Sequence, residues 1–179
     1  MLRHLSRTHQ VTLVCFVREG DSPDWVEHLR AFCTDVYCVP IRRSLWRNLR
    51  AVARGLATGL PMVIVRDEME EMYATLRRLM TEQSWDLIHA DQTSMAGYGL
   101  WAATEAGDHT PAIVLDQRNA VYLLTRRMAG AASRWLYRPL YLREANAFAR
   151  YEAYLCRGYD AVLTVTEQDK DHLLALFDQ

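Results

Sequence analysis

Short apolar segments alternate with longer segments of helical periodicity along this chain, and this alternation restricts the fold more than any other feature. The apolar segments predict strands at residues 11–17, 35–41, 86–90, 112–116 and 161–165. They are apolar at nearly every position, which is typical of parallel strands that are covered on both faces. We therefore expect an α/β domain with a mostly parallel sheet and right-handed crossovers.

The segments between the strands carry helix signals. Ser22 stands directly before Pro23, and this pair favours the start of a helix. Residues 67–80 predict a helix whose apolar face comprises Met69, Met72, Tyr73, Leu76 and Leu79. Residues 2–9 have the spacing of the last turns of an amphipathic helix.

Composition and charge exclude several classes of protein. The 179 residues are 50% hydrophobic and 24% charged, which is typical of a globular domain, and the formal net charge is -1. Nucleic-acid binders usually carry a strong basic excess, so we expect no nucleic-acid partner. The apolar run near the N-terminus is too short for a signal peptide, and no run approaches the length of a membrane span. We expect a cytoplasmic protein.

Metal and nucleotide-binding motifs are not found in the sequence. The cysteines have neither C-x-x-C nor zinc-site spacing, and His89 with Asp91 supplies only two ligands. There is no dinucleotide-binding G-x-G-x-x-G, no P-loop and no nucleophile elbow. We expect no metal site.

Polar residues follow three successive predicted strands. In such sheets, ligands bind beyond the carboxyl ends of the strands. The candidate ligand-binding residues are Asp91, Gln92, Asp116, Gln117, Arg118, Asn119, Thr166 and Glu167. Ordinary turns with helix-capping residues explain the same pattern, because Asp, Asn and Thr cap helices without any ligand. Thr166 with Asp169 has the spacing of such a cap.

The segment 42–56 is amphipathic and basic. Its arginines and its aliphatic residues form stripes on opposite sides of a helix, the arginines being Arg43, Arg47, Arg50 and Arg54 and the aliphatic residues Leu45, Leu49, Val52 and Leu56. One interpretation is a helix that packs its aliphatic stripe on the core and exposes its arginines to solvent. The other is a helix whose arginines face an anionic membrane surface or an anionic acceptor.

Several motifs, in the same order along the chain, resemble the N-terminal domain of GT-B glycosyltransferases of the GT4 type (glycosyl transferase group 1). Residues 116–119 correspond to a strand ending in D-x-H-N, residues 150–152 to R-Y-E, and residues 165–169 to V-[ST]-E-x-D. The resemblance covers essentially the whole chain. It implies a Rossmann-like three-layer domain.

The resemblance also implies an activity. Members of this family are retaining enzymes that transfer a sugar from a nucleotide-diphosphate donor to a glycan or lipid-linked acceptor, as in polysaccharide biosynthesis. They require no metal or other cofactor. Contact with the inner face of the plasma membrane is expected from the basic segment 42–56, and not from the resemblance. Arg118 stands where the family has a catalytic histidine.

The departures from the family pattern lead to a further expectation. The family begins with a strand and a glycine-rich loop, and it carries a second Rossmann-like domain with an E-x7-E signature that binds most of the donor. Neither is found in residues 1–179. We expect an incomplete acceptor-side domain, truncated at both ends, with the first strand missing, the donor-binding domain absent and no activity by itself. The alternative is a non-catalytic α/β module that binds a small ligand or a partner protein at the same edge.

Overall fold

The structure is a computed structural model that describes residues 1–42, 44–107, 109–131 and 135–177. All the strand pairs in it are parallel, with β1 paired to β2 and with β4 between β3 and β5. The strands are β1 (Thr12–Arg18), β2 (Asp35–Ile41), β3 (Leu87–Asp91), β4 (Ala112–Asp116) and β5 (Ala161–Leu163). Each lies within two residues of its predicted position, so the α/β interpretation with a parallel sheet is confirmed.

Helices connect the strands and cover them. They are α1 (Leu2–Leu5), α2 (Pro23–Arg30), α3 (Leu45–Thr58), α4 (Met62–Asp67), α5 (Glu70–Glu82), α6 (Thr93–Thr104), α7 (Val121–Ala131), α8 (Arg138–Gly158) and α9 (Glu167–Leu174), with a 3₁₀ turn at Trp135–Tyr137. The Ser22 side chain accepts a hydrogen bond from the backbone of Asp24, as expected of a helix cap. No helix in the described ranges is both long enough and apolar enough to cross a bilayer.

The helix predicted at residues 67–80 corresponds to α5, which begins three residues later, at Glu70, while Asp67 is the last residue of α4. The backbone is extended at Glu68 and Met69, between α4 and α5. The cause is the buried hydroxyl of Tyr98, which accepts a hydrogen bond from Met69 N at 2.6 Å and donates one to Asp67 O at 2.9 Å. This hydroxyl supplies partners to two backbone groups that a continuous helix would have paired internally. The predicted apolar face survives the break, because Met69, Met72 and Leu79 are buried.

The core is centred on β4. Leu115 in β4 and Leu155 in α8 are completely buried, and Ala90 in β3 joins the same cluster. Tyr159, at the end of α8, donates a hydrogen bond to Ala96 O in α6 at 2.7 Å. These contacts fix the two helices relative to the strands and thereby set the positions of the loops at the carboxyl ends.

A gap lies between β1 and β3. These two strands are not paired in the part of the chain that is described, although Val14 and Ile88 pack against the same buried cluster. Between them is a cavity of about 1130 Å³. The Nε2 atom of His89 is buried and has no hydrogen-bond partner among the described residues. The described strands thus form two separate parallel groups, with the gap between β1 and β3.

We predict that backbone amides in β1 and β3 exchange with solvent about tenfold or more faster than those in β4. β4 is paired on both sides, whereas β1 and β3 each present one edge to the gap, and unpaired backbone groups are costly only if water cannot reach them. Hydrogen–deuterium exchange, resolved by residue or by short peptides, measures this difference. Equal protection of all three strands would show that the gap closes in solution.

Candidate functional site

The carboxyl ends of β3 and β4 form one edge of the sheet. Asp91 and Asp116 occupy equivalent positions in the parallel register. The pairing continues one residue further, because Gln92 N donates to Asp116 O at 3.0 Å. On the other side of β4, Gln117 N donates to Leu163 O at 2.8 Å. The polar segments that follow the three strands therefore meet, and we call this edge of the sheet the rim.

Arg118 and Asp91 form an ion pair at the rim. One nitrogen of Arg118, Nη2, donates to both carboxylate oxygens of Asp91, at 2.9 and 3.0 Å. Each side chain is 47% exposed, so the pair contributes only about 0–1 kcal/mol to stability. The pair holds the guanidinium at the surface, where its other N–H groups can donate to a ligand.

Gln117 does not have the expected role of a ligand contact. Its side chain is 1% exposed, and protein groups occupy both ends of its amide. The amide oxygen accepts from Thr93 Oγ1 at 2.8 Å, and the amide nitrogen donates to Asn119 O at 2.8 Å and to Glu152 Oε1 at 2.6 Å. Gln117 is therefore corrected from a substrate contact to a buried residue that shapes the loop beneath Arg118.

Glu152 in α8 lies at the centre of this buried network. Its carboxylate accepts hydrogen bonds from Val121 N at 2.7 Å and Tyr122 N at 3.0 Å, the first two residues of α7, besides that from Gln117. An anion at a helix N-terminus pairs with N–H groups that have no partner within the helix. Burial raises the pKa of Glu152 to about 7, and the three donated hydrogen bonds oppose this rise. The R-Y-E motif contained this residue, but the sequence does not reveal what its carboxylate contacts.

Thr166 behaves as the helix-capping alternative predicts. Its hydroxyl oxygen accepts from Asp169 N at 3.0 Å and donates to Asp169 Oδ2 at 2.6 Å, and this second bond lowers the pKa of Asp169. Asp169 Oδ1 in turn accepts from Ala120 N at 3.3 Å. Glu167 is exposed and pairs with Lys170 at 3.0 Å. The start of α9 thus supports the loop after β4, and the Thr166 hydroxyl is already occupied.

The remaining rim residues differ in exposure. Asp116 is half-buried, whereas the side chains of Gln92 and Asn119 are exposed. Gln92 has φ 72° and ψ 162°, and it is the one non-glycine residue with positive φ in the described ranges. This conformation is found almost only in glycine and costs about 1–3 kcal/mol. The strained residue thus lies directly between Asp91, the last residue of β3 and a member of the ion pair, and the start of α6.

A second feature of the rim could not be found in the sequence. A cavity of about 340 Å³ opens near the carboxyl ends of β1 and β2. Its lining combines the apolar Phe16 and Ile41 with four polar residues, namely Arg18, Asp21, Asp67 and Ser94. These residues come from β1, the loop after it, β2, the end of α4 and the start of α6, so no local spacing connects them all.

The arginine stripe of α3 is divided in the structure. Arg47 Nη2 turns towards the protein and donates to Arg66 O at 2.7 Å. Arg54 pairs with Glu68 at 2.9 Å, while Arg50 is exposed. Arg43 lies outside the described residues. The expectation that the arginines are the outward face of this helix is thus wrong for Arg47, because its guanidinium finds backbone carbonyls next to α3.

Metal ligands do not come together in the parts of the chain that the structure describes. No group of three or more His, Cys, Asp or Glu side chains has a suitable arrangement within these residues. His89 faces the gap between the sheets, and Asp91 is engaged by Arg118.

Comparison with known proteins gives one match. A family model described as "Glycosyl transferase 4-like domain" matches residues 1–178. No curated protein and no solved structure matches the chain.

We predict that the stability contributed by Glu152 decreases as the pH rises. The folded pKa of about 7 lies above the usual 4.5, so this contribution is fully present below about pH 4.5 and is lost between pH 4.5 and 7. Free energies of unfolding, measured over this range for the wild type and for Glu152→Gln, give the advantage of the wild type at each pH. It should fall by about 1–3 kcal/mol. An advantage that grows with pH would mean that the donated hydrogen bonds outweigh burial.

We predict that Gln92→Gly is more stable than Gln92→Ala by about 1 kcal/mol. Both variants remove the amide, but only glycine relieves the backbone strain, and its larger entropy in the unfolded chain offsets part of this gain. Chemical denaturation of the two variants measures the difference. Equal stability would show that the backbone at Gln92 is unstrained.

Proposed function

The chain belongs to the glycosyl transferase 4-like family, and from this premise we propose that it is the acceptor-side N-terminal domain of a retaining glycosyltransferase. The proposed enzyme transfers a sugar from a nucleotide-diphosphate donor to a hydroxyl group of a glycan or lipid-linked acceptor. A second Rossmann-like domain would bind most of the donor. The cytoplasmic location inferred from the sequence stays a prediction.

The arrangement of Arg118 at the rim is the observation that carries this proposal. A half-exposed guanidinium, paired with Asp91, stands above a loop that Gln117 and Glu152 hold from inside. A side chain supported in this way keeps its position when a ligand arrives, which favours catalysis by positioning and by charge stabilisation. Arginine forms two-pronged contacts with phosphate and also donates to sugar hydroxyls.

The proposed reaction places few chemical demands on the residues of this domain. The bond between the anomeric carbon and the phosphate oxygen breaks, and the acceptor oxygen bonds to that carbon on the same face. The acceptor proton passes to the leaving phosphate. Arg118 cannot take this proton, because an arginine guanidinium is already protonated and has no acceptor atom. Its proposed role is to donate hydrogen bonds to the sugar or to the phosphate, without a metal or other cofactor.

The 340 Å³ cavity is the proposed site for the acceptor. Its volume lies within the range of about 300–1,000 Å³ that is usual for small-molecule sites. Arg18 and Ser94 supply donors to acceptor hydroxyl groups, and Asp21 and Asp67 supply acceptors. Ser94 belongs to the first turn of α6, which directly follows the strained Gln92, so the cavity and the Arg118 pair share one edge.

The alternative function is that of a non-catalytic binding module. The arginine at position 118 favours this alternative. If the family histidine must exchange a proton, arginine cannot replace it. Binding and transfer assays with UDP- and GDP-sugars, using the complete gene product, separate the two functions. Transfer with retention at the anomeric carbon, determined by NMR of the product, supports the enzyme. Donor binding without transfer supports the module.

We predict that Arg118→His keeps the rate of transfer within about tenfold, or about 1.4 kcal/mol of barrier, whereas Arg118→Ala loses more. Histidine still donates a hydrogen bond, and alanine does not. Arg30→Ala is the matched control, because Arg30 is an exposed, ion-paired arginine at the far end of α2. If Arg118→Ala is as active as the wild type, Arg118 takes no part. If only the Arg118→His variant transfers the sugar, the wild-type chain is an inactive form of the enzyme.

A further inference from the structure

The aliphatic stripe of α3 faces solvent. Leu45 and Trp46 are 81% and 80% exposed, and Leu49 is 61% exposed. Val52 and Leu56 continue the stripe and are also exposed. Exposed apolar residues are common singly, but a continuous row of them along one helix usually marks a contact surface. We call these five residues the apolar face of α3.

Small residues and arginines determine this orientation. The side of α3 that meets α4 carries Ala51 and Gly55, both buried. A Cβ atom on Gly55 would lie 2.9 Å from Met62 Cγ, so the helices approach too closely there for a larger side chain. Arg47 and Arg54 flank this contact and bind Arg66 O and Glu68. The inward side of α3 is thus specified by the small size of Ala51 and Gly55 and by the polar contacts of Arg47 and Arg54.

Two arginines of α8 fix the C-terminal end of α3. Arg143 donates to the carbonyls of Gly55 and Leu60, and Arg150 donates to the carbonyl of Gly59 at 3.3 Å. Cations stabilise a helix C-terminus, where carbonyls have no partner within the helix. Turning the apolar face inward would break these contacts, so its exposure is built into the fold.

Charge and length indicate what covers this face. The sequence has no acidic residue from Val36 to Arg66, and exposed Arg50 lies one helical turn from Trp46. Tryptophan and arginine beside an aliphatic stripe are typical of helices that lie in the interface of an anionic membrane. The 14 residues of α3 extend about 21 Å, which is too short to span a bilayer but suits a helix lying in its plane.

Other occupants fit less well. A second copy would bring α3 against α3 and set Arg50 against the basic side of its partner, with no acid in the segment to compensate. A ligand or a second domain bound at the rim would contact the carboxyl ends of the strands, and not the apolar face of α3. α3 starts near the end of β2 and packs against α4, with its apolar face on the flank of the domain.

We propose that α3 binds the surface of an anionic phospholipid bilayer through its apolar face. Leu45, Leu49, Val52 and Leu56 enter the acyl region, and Trp46 and Arg50 stay at the level of the headgroups. This reverses the interpretation drawn from the sequence, in which the arginine stripe makes the contact. The proposal does not depend on sugar transfer.

Vesicle co-sedimentation with the full chain tests it. The wild type should bind vesicles that contain phosphatidylglycerol at least tenfold more strongly than vesicles of phosphatidylcholine alone. Leu49→Gln combined with Leu56→Gln should lower binding at least tenfold at every salt concentration. Arg50→Gln should lower it a few-fold and weaken its salt dependence. Trp25→Gln is the matched control, because Trp25 in α2 is 72% exposed, and it should bind as the wild type does.

Three results would overturn the proposal. Unchanged binding by the double leucine variant would exclude the apolar face. If the double variant Arg47→Gln, Arg54→Gln loses vesicle binding and the leucine variant does not, the arginine stripe makes the membrane contact. If the wild type forms a dimer that the leucine substitutions dissociate, and if it does not bind vesicles, the apolar face contacts a second copy of the chain. Circular dichroism of each variant checks folding, and none of these measurements requires transfer activity.

Discussion

The geometry of the rim depends on one buried carboxylate. Glu152 lies inside the domain, where burial disfavours its charge, yet it accepts hydrogen bonds from Gln117 and from the first two residues of α7. These contacts tie three elements together, namely α8, α7 and the loop after β4. The loop is held from within, so Arg118 and Asn119 point outward without needing a ligand to order them. An apolar residue at position 152 would leave those donors buried without partners, which costs about 1–3 kcal/mol for each donor.

The sequence was sufficient for the positions of the strands, because period and length separate short buried strands from amphipathic helices. It was not sufficient for the roles of polar residues at the strand ends. Gln117 and Arg118 are neighbours in the same polar cluster, but one is buried and the other half-exposed. Only the position of α8, which brings Glu152 under the loop, decides between them. The same is true of Tyr98, whose hydroxyl binds the extended backbone between α4 and α5, where the sequence pattern predicts helix.

The helix α3 shows a different limit of sequence interpretation. An amphipathic pattern specifies that a helix has an apolar side and a polar side, and the usual assumption is that the apolar side faces the core. In α3 the inward side is set by Ala51 and Gly55, which allow close approach, and by Arg47, which reaches the carbonyl of Arg66. Arg143 of α8 adds a contact to the carbonyl of Gly55. Arginine can serve on an inward side because its long stem packs while its head finds acceptors. The positions of glycine and alanine in α3 were therefore more informative than the hydrophobicity of its leucines.

The gap in the sheet and the rim are parts of one arrangement. Asp91 and Arg118 line the cavity between β1 and β3 as well as the rim, and α1 lies at its other end. Each of the two strands that border the gap runs parallel to the neighbour with which it pairs. A segment that paired in parallel with both of them would have its carboxyl end beside Arg118, and the residues following it would enter the candidate site. The Asp91–Arg118 pair therefore belongs both to the edge of the gap and to the rim.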